Sequence, residues 1–341
     1  MPRVLLTGAS GFLATHILNV LLERGYSVVA TVRSHDKAER IRQDHPSYGK
    51  DKLDFSLVND IAKEGAFDEA VKTSPPLDAV IHAASPFHYD VTDVQKQLLD
   101  PAVIGTTGIL KSIQKGAPTV KKVVITSSFA AILDAYKGNW PEHTYSEQDW
   151  NPVTLEQALT GPGFGYMASK TFAEKAAWDF VQQEKPHFTL ATMNPPMVLG
   201  PALHHPTSLD ALNTSNQTIR DIVLGKHKDS IPDTGMPYLY VDVRDLALGH
   251  VKALEVPGAS GKRFFFPAGR YRNREIVEII RNNFPEYRDR LPAANAPGDE
   301  DPAGGVYKFD NRRVRDLLGI EFMPFEKTIV DTVKSLKALG A

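Results

Sequence analysis

The feature that most restricts the fold of this chain is a glycine-containing turn between an apolar run and a helix-like segment. Residues 7–14 read TGASGFLA, a GxxGxxA pattern, and the apolar residues 4–6 precede them. The first glycine permits a tight turn, the second lets the backbone approach a phosphate, and the alanine lets the helix pack closely on the strand. A strand before and an amphipathic helix after such a turn are typical of a dinucleotide-binding loop. We therefore expect helical N–H groups here to bind a pyrophosphate.

Short apolar runs alternate with helix-period segments through the first half of the chain. A helix is predicted over residues 93–115, and strands are predicted over residues 4–6, 28–32, 53–58, 79–81, 123–125 and 190–193. Strands that alternate with helices form right-handed βαβ units around a parallel sheet. The sequence thus predicts an α/β fold, with a doubly wound parallel Rossmann sheet.

The residue composition and the hydrophobic pattern change after about residue 195, where proline and glycine become frequent and helical patterns dominate. We expect a cofactor-binding Rossmann domain over residues 1–195. A smaller, mostly helical substrate-binding domain follows over residues 196–341, and some of its segments return to the sheet. Residues 291–305 are rich in proline, glycine and alanine and are predicted to form a surface loop.

Composition excludes several classes of function. Lys and Arg total 39 and Asp and Glu total 41, which gives a net charge of −2 and argues against a nucleic-acid-binding protein. The chain has no cysteine, so disulfides, thiolate metal sites and cysteine nucleophiles are excluded. Residues 4–22 carry no formal charge, but seven of them are Thr, Gly, Ser, His or Asn, which a membrane span would not readily accept. We expect a soluble, cytoplasmic protein.

The end of the second predicted strand indicates which nicotinamide cofactor is bound. NAD-binding proteins place Asp or Glu there, whereas this chain has Arg33, with Lys37 nearby and no acid before Asp36. A guanidinium can hold a 2′-phosphate by two hydrogen bonds. We therefore expect NADPH rather than NADH; the alternative is that Arg33 is an ordinary surface charge.

Tyr166 and Lys170 form a YxxxK pattern on a predicted helix. Residues four apart share a helix face, and a lysine ammonium beside a phenol favours the phenolate, so the tyrosine can act as a general acid near neutral pH. A second copy, Tyr48 to Lys52, has poor helix context beside Pro46 and is interpreted as chance. The strand over residues 123–126 ends at two serines, Ser127 and Ser128, where a hydroxyl can stabilise charge on a carbonyl oxygen.

The glycine turn, the two serines and the YxxxK pattern, in this order, resemble the extended short-chain dehydrogenases/reductases along nearly the whole chain. The chain is more closely similar to the fungal NADPH-dependent carbonyl reductases of the methylglyoxal (3-methylbutanal) reductase group, and more distantly to plant dihydroflavonol reductases. The resemblance is carried by residues 84–87, 172–178, 194–195, 200–201, 212–215 and 240–245, which read ASPF, FAEKAAW, NP, GP, LNTS and YVDVRD.

The resemblance implies a role for each matching residue. Ser128 would orient the carbonyl, Tyr166 would donate the proton, and Lys170 would tune Tyr166 and hold the nicotinamide ribose. The implied cofactor-binding residues are Gly8, Ala9, Ser10, Gly11, Phe12, Leu13, Arg33, Lys37, Asp60, Ile61, Tyr166, Lys170, Val198 and Ser215, with Asp60 placed after the third strand. The implied substrate-binding residues are Phe87, Leu133 and Met197.

Two positions depart from the family pattern. Ile104 stands where many relatives carry Asn, which puts in doubt a proton relay through that side chain. Met197 stands where the yeast reductases have an aromatic residue, so we expect a pocket that accepts bulkier substrates.

Several other residues resemble functional sites but are interpreted as structural. His204 and His205 lack further ligands at metal-binding spacing, so no metal is expected. His82 ends an apolar strand and is predicted to be a hydrogen-bonded interior residue. Other structural predictions are a helix-capping and ion-pair cluster at Asp242, Arg244 and Asp245 and a buried strand at residues 264–266.

The function that these patterns favour is NADPH-dependent reduction of an aldehyde or ketone by a monomer or homodimer. The alternatives on the same fold are a sugar-nucleotide epimerase and a hydroxysteroid-type dehydrogenase, which fold alone cannot separate. Residues 195–228 offer few basic residues for a nucleotide diphosphate, namely Arg220, Lys226 and Lys228. A non-catalytic NADP-sensing regulator is the alternative of another class; such proteins typically lack the Tyr or the Lys.

Overall fold

The computed structural model describes residues 2–85, 91–203, 206 and 208–341. The strands are β1 (Arg3–Thr7), β2 (Ser27–Val32), β3 (Leu53–Leu57), β4 (Ala79–His82), β5 (Lys122–Thr126), β6 (Thr144–Tyr145), β7 (Thr189–Asn194), β8 (Met197–Leu199), β9 (Leu239–Asp242), β10 (Lys262–Phe265), β11 (Gly269–Arg270) and β12 (Lys308–Phe309). The α-helices are α1 (Phe12–Glu23), α2 (His35–Asp44), α3 (Asp100–Gly116), α4 (Leu155–Ala158), α5 (Pro162–Glu184), α6 (Thr214–Val223), α7 (Val243–Glu255), α8 (Asn273–Asn283), α9 (Arg312–Leu318) and α10 (Phe325–Ala338).

The main sheet has the order β10-β7-β5-β4-β1-β2-β3 within the described chain, and all its strand pairs are parallel. The chain runs outward from β1 to β3 and then crosses back to β4, so the order reverses between β1 and β4. Ligands of open α/β sheets bind at such a switch point, beyond the carboxyl ends of the strands. The predicted doubly wound Rossmann sheet is confirmed.

Alternate residues of each strand pack into cores on opposite faces of the sheet. In β1, Val4 and Leu6 belong to a cluster with α1 and α7, whereas Leu5 belongs to a cluster with α3 and α5. Both clusters consist of buried aliphatic and aromatic side chains. Burial on both faces explains why these strands read as continuous apolar runs rather than as alternating patterns.

The C-terminal half builds a third core around α6, α8 and α10, next to a small sheet of the order β11-β9-β8. It also returns two elements to the Rossmann part, because β10 pairs with β7 and α7 packs on α1. The residues of the triple phenylalanine at 264–266 are fully buried, as expected. The division of the chain into two domains stays a prediction.

The structure shows the conformation of three further segments that were interpreted from the sequence: residues 4–22, 93–115 and 291–305. The uncharged residues 4–22 are divided between β1, the glycine turn and α1, and no helix in the described part of the chain is long and apolar enough to span a membrane. The predicted helix over residues 93–115 begins with a π-helical turn over Gln95–Leu99 and continues as α3. Residues 291–305 contain no helix or strand, but they are not merely a surface loop, because Leu291, Ala296 and Asp299 are buried.

Candidate active site

The turn between β1 and α1 has the geometry of an anion-binding loop. Gly8 has a φ of +70°, and a Cβ at this position would lie 2.9 Å from the Cα of Ala84, so only glycine fits. Gly11 is the N-cap of α1, no side chain caps the helix, and its first turn has no carboxylate. The first N–H groups of α1 are therefore available to an anion, whose charge the helix dipole favours.

The residues predicted to hold the adenosine end surround this loop. Arg33 follows β2 and Lys37 lies in α2; both are exposed, and neither forms an ion pair with another described residue. Lys37 and Ser10 line a cavity of about 280 Å³. Arg33 and Lys37, which have no ion-pair partner among the described residues, and the N-terminus of α1, which no side chain caps, fit a phosphorylated ligand.

Asp60 and Ile61 follow β3, the position that the family resemblance implied for Asp60. Asp60 follows β3 by three residues, is exposed, and accepts a hydrogen bond from the N–H of Ala62 at 2.9 Å. The side chain of Ile61 packs against α3, 3.2 Å from the position that a Cβ at Gly105 would take. This leaves the Asp60 carboxylate facing outward beside an apolar contact.

A large cavity of about 590 Å³ lies at the carboxyl ends of the central strands. Its walls bring together seven of the predicted site residues, from positions far apart in the sequence: Ser128, Leu133, Tyr166, Lys170, Met197, Val198 and Ser215. Its volume is in the range of sites that bind a ligand of drug-like size.

Tyr166 and Lys170 lie one turn apart on α5 and face the cavity together. The Lys170 Nζ is 5.8 Å from the centroid of the Tyr166 ring and donates a hydrogen bond to the Ser85 Oγ at 2.7 Å. Burial lowers the pKa of Lys170 to about 8. The ammonium is therefore held beside the phenol, and its charge is sensitive to mildly alkaline pH.

Ser128 and Ser127 have different surroundings at the end of β5. The Ser128 Oγ accepts a hydrogen bond from the N–H of Ala130 at 3.1 Å, which leaves its proton to donate toward the cavity. Ser127 is buried, and its hydroxyl donates to the Glu174 carboxylate at 2.6 Å. Of the two serines, only Ser128 is among the residues that line the large cavity.

Two residues of the site went unassigned in the sequence. Ser85 follows β4 at the same edge of the sheet as Ser128, so the strand-end argument applied to Ser127 and Ser128 could also have found it. Glu174 lies one turn beyond Lys170 on the same face of α5. Nothing in the sequence indicated that its carboxylate would accept a hydrogen bond from Ser127, the residue before Ser128.

The other predicted substrate residues have different outcomes. Leu133 is buried and Met197 half-buried in the cavity wall, while Phe87 lies outside the described residues. Ile104 is 40% exposed on α3 and is not among the residues that line this cavity. The side chain at position 104 therefore does not contribute to this cavity wall.

The residues interpreted as structural are structural where the chain is described. His82 is buried with its Nδ1 2.9 Å from the Thr7 hydroxyl, and burial lowers its pKa to about 3. Asp242 caps α7 by accepting from the N–H of Arg244 and also pairs with its guanidinium at 2.8 Å. His204 and His205 lie outside the described residues. Among the residues that the structure describes, no group of three or more His, Asp or Glu side chains could hold a metal ion.

Comparison with known proteins identifies one matching family and several similar reductases. The NAD dependent epimerase/dehydratase family matches residues 4–265. Ketoreductase azaE of Aspergillus niger is 48% identical over 334 residues, which cover 98% of this chain and 97% of that protein. The NADPH-dependent methylglyoxal reductase GRE2 of Saccharomyces cerevisiae is 36% identical over 98% of this chain and 97% of its own length. The crystal structure of Gre2 from Candida albicans in complex with NADPH is 35% identical, superposes with a TM-score of 0.90, and covers 100% of both chains.

Proposed function

This chain belongs to the NAD dependent epimerase/dehydratase family, and from that premise we propose that it is an oxidoreductase that uses NADPH to reduce an aldehyde or ketone to an alcohol. The observation that carries the proposal is that Ser128, Tyr166 and Lys170 line one cavity at the carboxyl edge of the sheet. The names of two relatives, a ketoreductase and an NADPH-dependent methylglyoxal reductase, support the same activity.

The residues present fit NADPH. The positive φ of Gly8 and the close approach of Ala84 make a cradle that a Cβ would fill, and α1 begins without a side-chain cap. Arg33 and Lys37 would supply cations for a 2′-phosphate, and Asp60 and Ile61 would flank the adenine. Val198 and Ser215, joined by a 2.5 Å hydrogen bond from the serine hydroxyl to the valine carbonyl, line the cavity and would contact the nicotinamide end. The bound cofactor supplies the hydride.

The protein's part in the reaction is to orient and polarise the carbonyl and to deliver a proton. The Ser128 hydroxyl donates a hydrogen bond to the carbonyl oxygen and stabilises the charge that develops there. Tyr166 transfers its phenolic proton to that oxygen as the carbon accepts the hydride, so the product is the neutral alcohol. The Lys170 ammonium stabilises the phenolate left on Tyr166 and binds the nicotinamide ribose.

The cavity favours an uncharged substrate over a sugar nucleotide. Among the described residues that line it, Lys170 is the only cation, and the reaction already uses it. A nucleotide diphosphate needs further positive groups to compensate its charge. The apolar part of the wall includes Leu133 and Met197, which supports an aliphatic or aromatic carbonyl compound.

The first experiment follows NADPH oxidation by the purified protein with methylglyoxal, a diketone and an aryl ketone. We expect turnover by the wild type and a loss of at least a hundredfold in kcat for Tyr166→Phe, because the general acid is removed. Tyr136→Phe is the matched control, since Tyr136 is 50% exposed and does not line the cavity.

Unchanged turnover in Tyr166→Phe would remove the tyrosine as the acid and contradict the mechanism. NADPH binding by a wild type that reduces none of the three carbonyl compounds would instead favour the sensor or epimerase alternatives.

A further inference from the structure

The large cavity extends beyond the groups that the reduction uses. Besides Ser128 and Tyr166 it is lined by residues of the C-terminal half, among them Thr234, Tyr271 and Asn273. The proposed reduction gives this part of the wall no role, because a short aldehyde needs only the groups at Ser128 and Tyr166 and the nicotinamide would take the part at Val198 and Ser215. The far wall is therefore where a longer substrate would be recognised.

Tyr271 is a rigid part of that wall. It is 5% exposed, and its N–H donates to the carbonyl of Tyr238 at 3.1 Å. Its ring packs against Tyr240 and Phe325, with ring centroids 6.3 and 6.0 Å away. The orientation of the side chain is thus fixed before any ligand binds.

The Tyr271 hydroxyl makes no hydrogen bond to any described residue, which is unusual for a buried tyrosine. By contrast, Tyr145, Tyr287 and Tyr307, which are similarly buried, each donate to a backbone carbonyl. Tyr240, which is as buried as Tyr271 and also lacks a hydroxyl partner among the described residues, is not among the residues that line the cavity. The hydroxyl is also not among the fully enclosed atoms that lack a partner, so it retains some accessible surface. Tyr271 lines the large cavity, so a ligand in that cavity is the hydrogen-bond partner available to its hydroxyl.

The charges nearby define what this hydroxyl can bind. Burial and the neighbouring Asp299 raise the pKa of Tyr271 above its usual range, so the phenol stays protonated and donates. Asp299 accepts hydrogen bonds from the backbone of Thr234 and Arg274, and Asp233 lines the cavity. Asp299 also pairs with the Arg272 guanidinium at 3.6 Å, yet it still acts on the phenol, and Asp233 adds a second carboxylate to the cavity wall, so an anionic ligand group is disfavoured there.

We propose that Tyr271 forms a substrate subsite, in which its hydroxyl donates a hydrogen bond to a neutral oxygen acceptor remote from the reacting carbonyl. The inference rests on the proposed carbonyl reduction and makes its substrate class narrower: uncharged carbonyl compounds with a second ether, ester or carbonyl oxygen at a fixed distance. Tyr271 is then a specificity-determining residue and takes no part in the chemical step.

The test compares methyl ketones that carry a methoxy group at the far end with isosteres in which CH₂ replaces the ether oxygen, over a series of chain lengths. At the spacing that reaches Tyr271, Tyr271→Phe is expected to lower kcat/KM for the ether about three- to tenfold, the worth of one neutral hydrogen bond. The isostere is expected to change less than twofold, because Phe keeps the ring contacts. Tyr136→Phe, measured in parallel, is expected to affect neither ketone.

Equal losses for the ether and its isostere, or no loss at any spacing, would overturn the subsite. If the wild type reduces none of these ketones, the proposed function fails separately. The same pairs are then titrated calorimetrically into NADP⁺-saturated wild type and Tyr271→Phe. Weaker binding of the ether alone supports the subsite, and equal binding by both proteins contradicts it.

Discussion

At the scale of single residues, the site depends on side chains whose environment differs from that of ordinary surface groups. Lys170 is the clearest case, because its ammonium lies between Ser85 and the Tyr166 ring and loses solvation there. Burial disfavours the charged form, which lowers its pKa to about 8 from the usual value near 10.5. Ser128 differs from Ser127 only by one position, yet one hydroxyl points toward the cavity and the other toward a buried carboxylate.

The lowered pKa of Lys170 predicts the alkaline limb of the activity profile. We expect kcat/KM for NADPH, which reports ionisations of the cofactor-free enzyme, to fall above about pH 8 as the ammonium loses its proton. In Lys170→Arg the guanidinium stays charged, so the limb is expected to move to higher pH while the maximum decreases. Lys175→Arg, an exposed position of the same helix, is the control. The same limb in Lys170→Arg as in the wild type would assign it to another group.

At the scale of secondary-structure elements, a buried polar cluster connects α5 to the ends of β5, β7 and β10. The carboxylate of Glu174 accepts hydrogen bonds from Ser127 at 2.6 Å, Thr192 at 2.8 Å and Asn194 at 2.6 Å, and pairs with Arg263 at 2.7 Å. The amide of Asn194 also donates to the carbonyl of Ser128 at 3.2 Å. This cluster fixes the helix that carries Tyr166 and Lys170 relative to the strand end that carries Ser128.

Removing Glu174 is expected to destabilise the protein strongly. Arg263 is 9% exposed in its side chain, so Glu174→Gln leaves a buried guanidinium without its counter-ion, which costs about 3–5 kcal/mol. Urea unfolding of Glu174→Gln, Arg263→Met and the double variant measures this, and the double variant is expected to lose less than the sum of the single variants. Glu255→Gln, which breaks the partly exposed pair with Arg24, is expected to cost no more than about 1 kcal/mol. Additive losses at Glu174 and Arg263 would show that the two side chains act independently.

At the scale of the whole molecule, the site lies at the carboxyl edge of a sheet whose strand order reverses, and the C-terminal half covers it. The cavity is lined by residues at the end of β5, in β8, in α5 and α6, and at the start of α8. The interior also contains histidines that are neutral in the folded state. His82 and His250 are buried, and burial lowers their pKa values to about 3 and about 4.

These histidines predict a loss of stability in mild acid. Between pH 6.5 and 4 the unfolded chain binds protons at both positions and the folded protein does not, so acidification favours unfolding. From pH 7 to pH 5 each histidine is expected to lower the free energy of unfolding by on the order of 2 kcal/mol. Asp245 opposes this partly, because burial raises its pKa to about 6 and its protonation in the folded state is stabilising. Urea unfolding at pH 7 and pH 5 measures the net effect.

The contribution of one histidine is separated by His250→Gln. Its ring accepts from the Thr126 hydroxyl and donates to the carbonyl of Leu246, both at 2.8 Å, and it lies outside the cavity wall. The variant is expected to lose about 2 kcal/mol less than the wild type between the two pH values. An identical pH dependence in both proteins would contradict the assignment.

The sequence by itself determined what depends on local pattern. The GxxGxxA turn, the apolar runs and the helical periods specify a doubly wound sheet, because each strand buried on both faces must be continuously apolar and each crossover helix must be amphipathic. Tyr166 and Lys170 could be predicted as a pair because their spacing alone puts them on one helix face. The position of Asp60 after β3 was predicted from the family resemblance and not from local pattern.

Only the tertiary structure decided which strand-end residues meet and which polar groups are left unsatisfied. The local sequence does not show that Ser127 and Ser128 have different surroundings, or what Ser85 and Glu174 bind, because the partners of Ser127, Ser85 and Glu174 in other segments of the chain lie 18 to 89 residues away. Tyr271 reads as one more core tyrosine until the cavity beside it is known. Hydrogen-bond satisfaction and desolvation are properties of the packed interior, so the residues that act through them become identifiable only once the chain has folded.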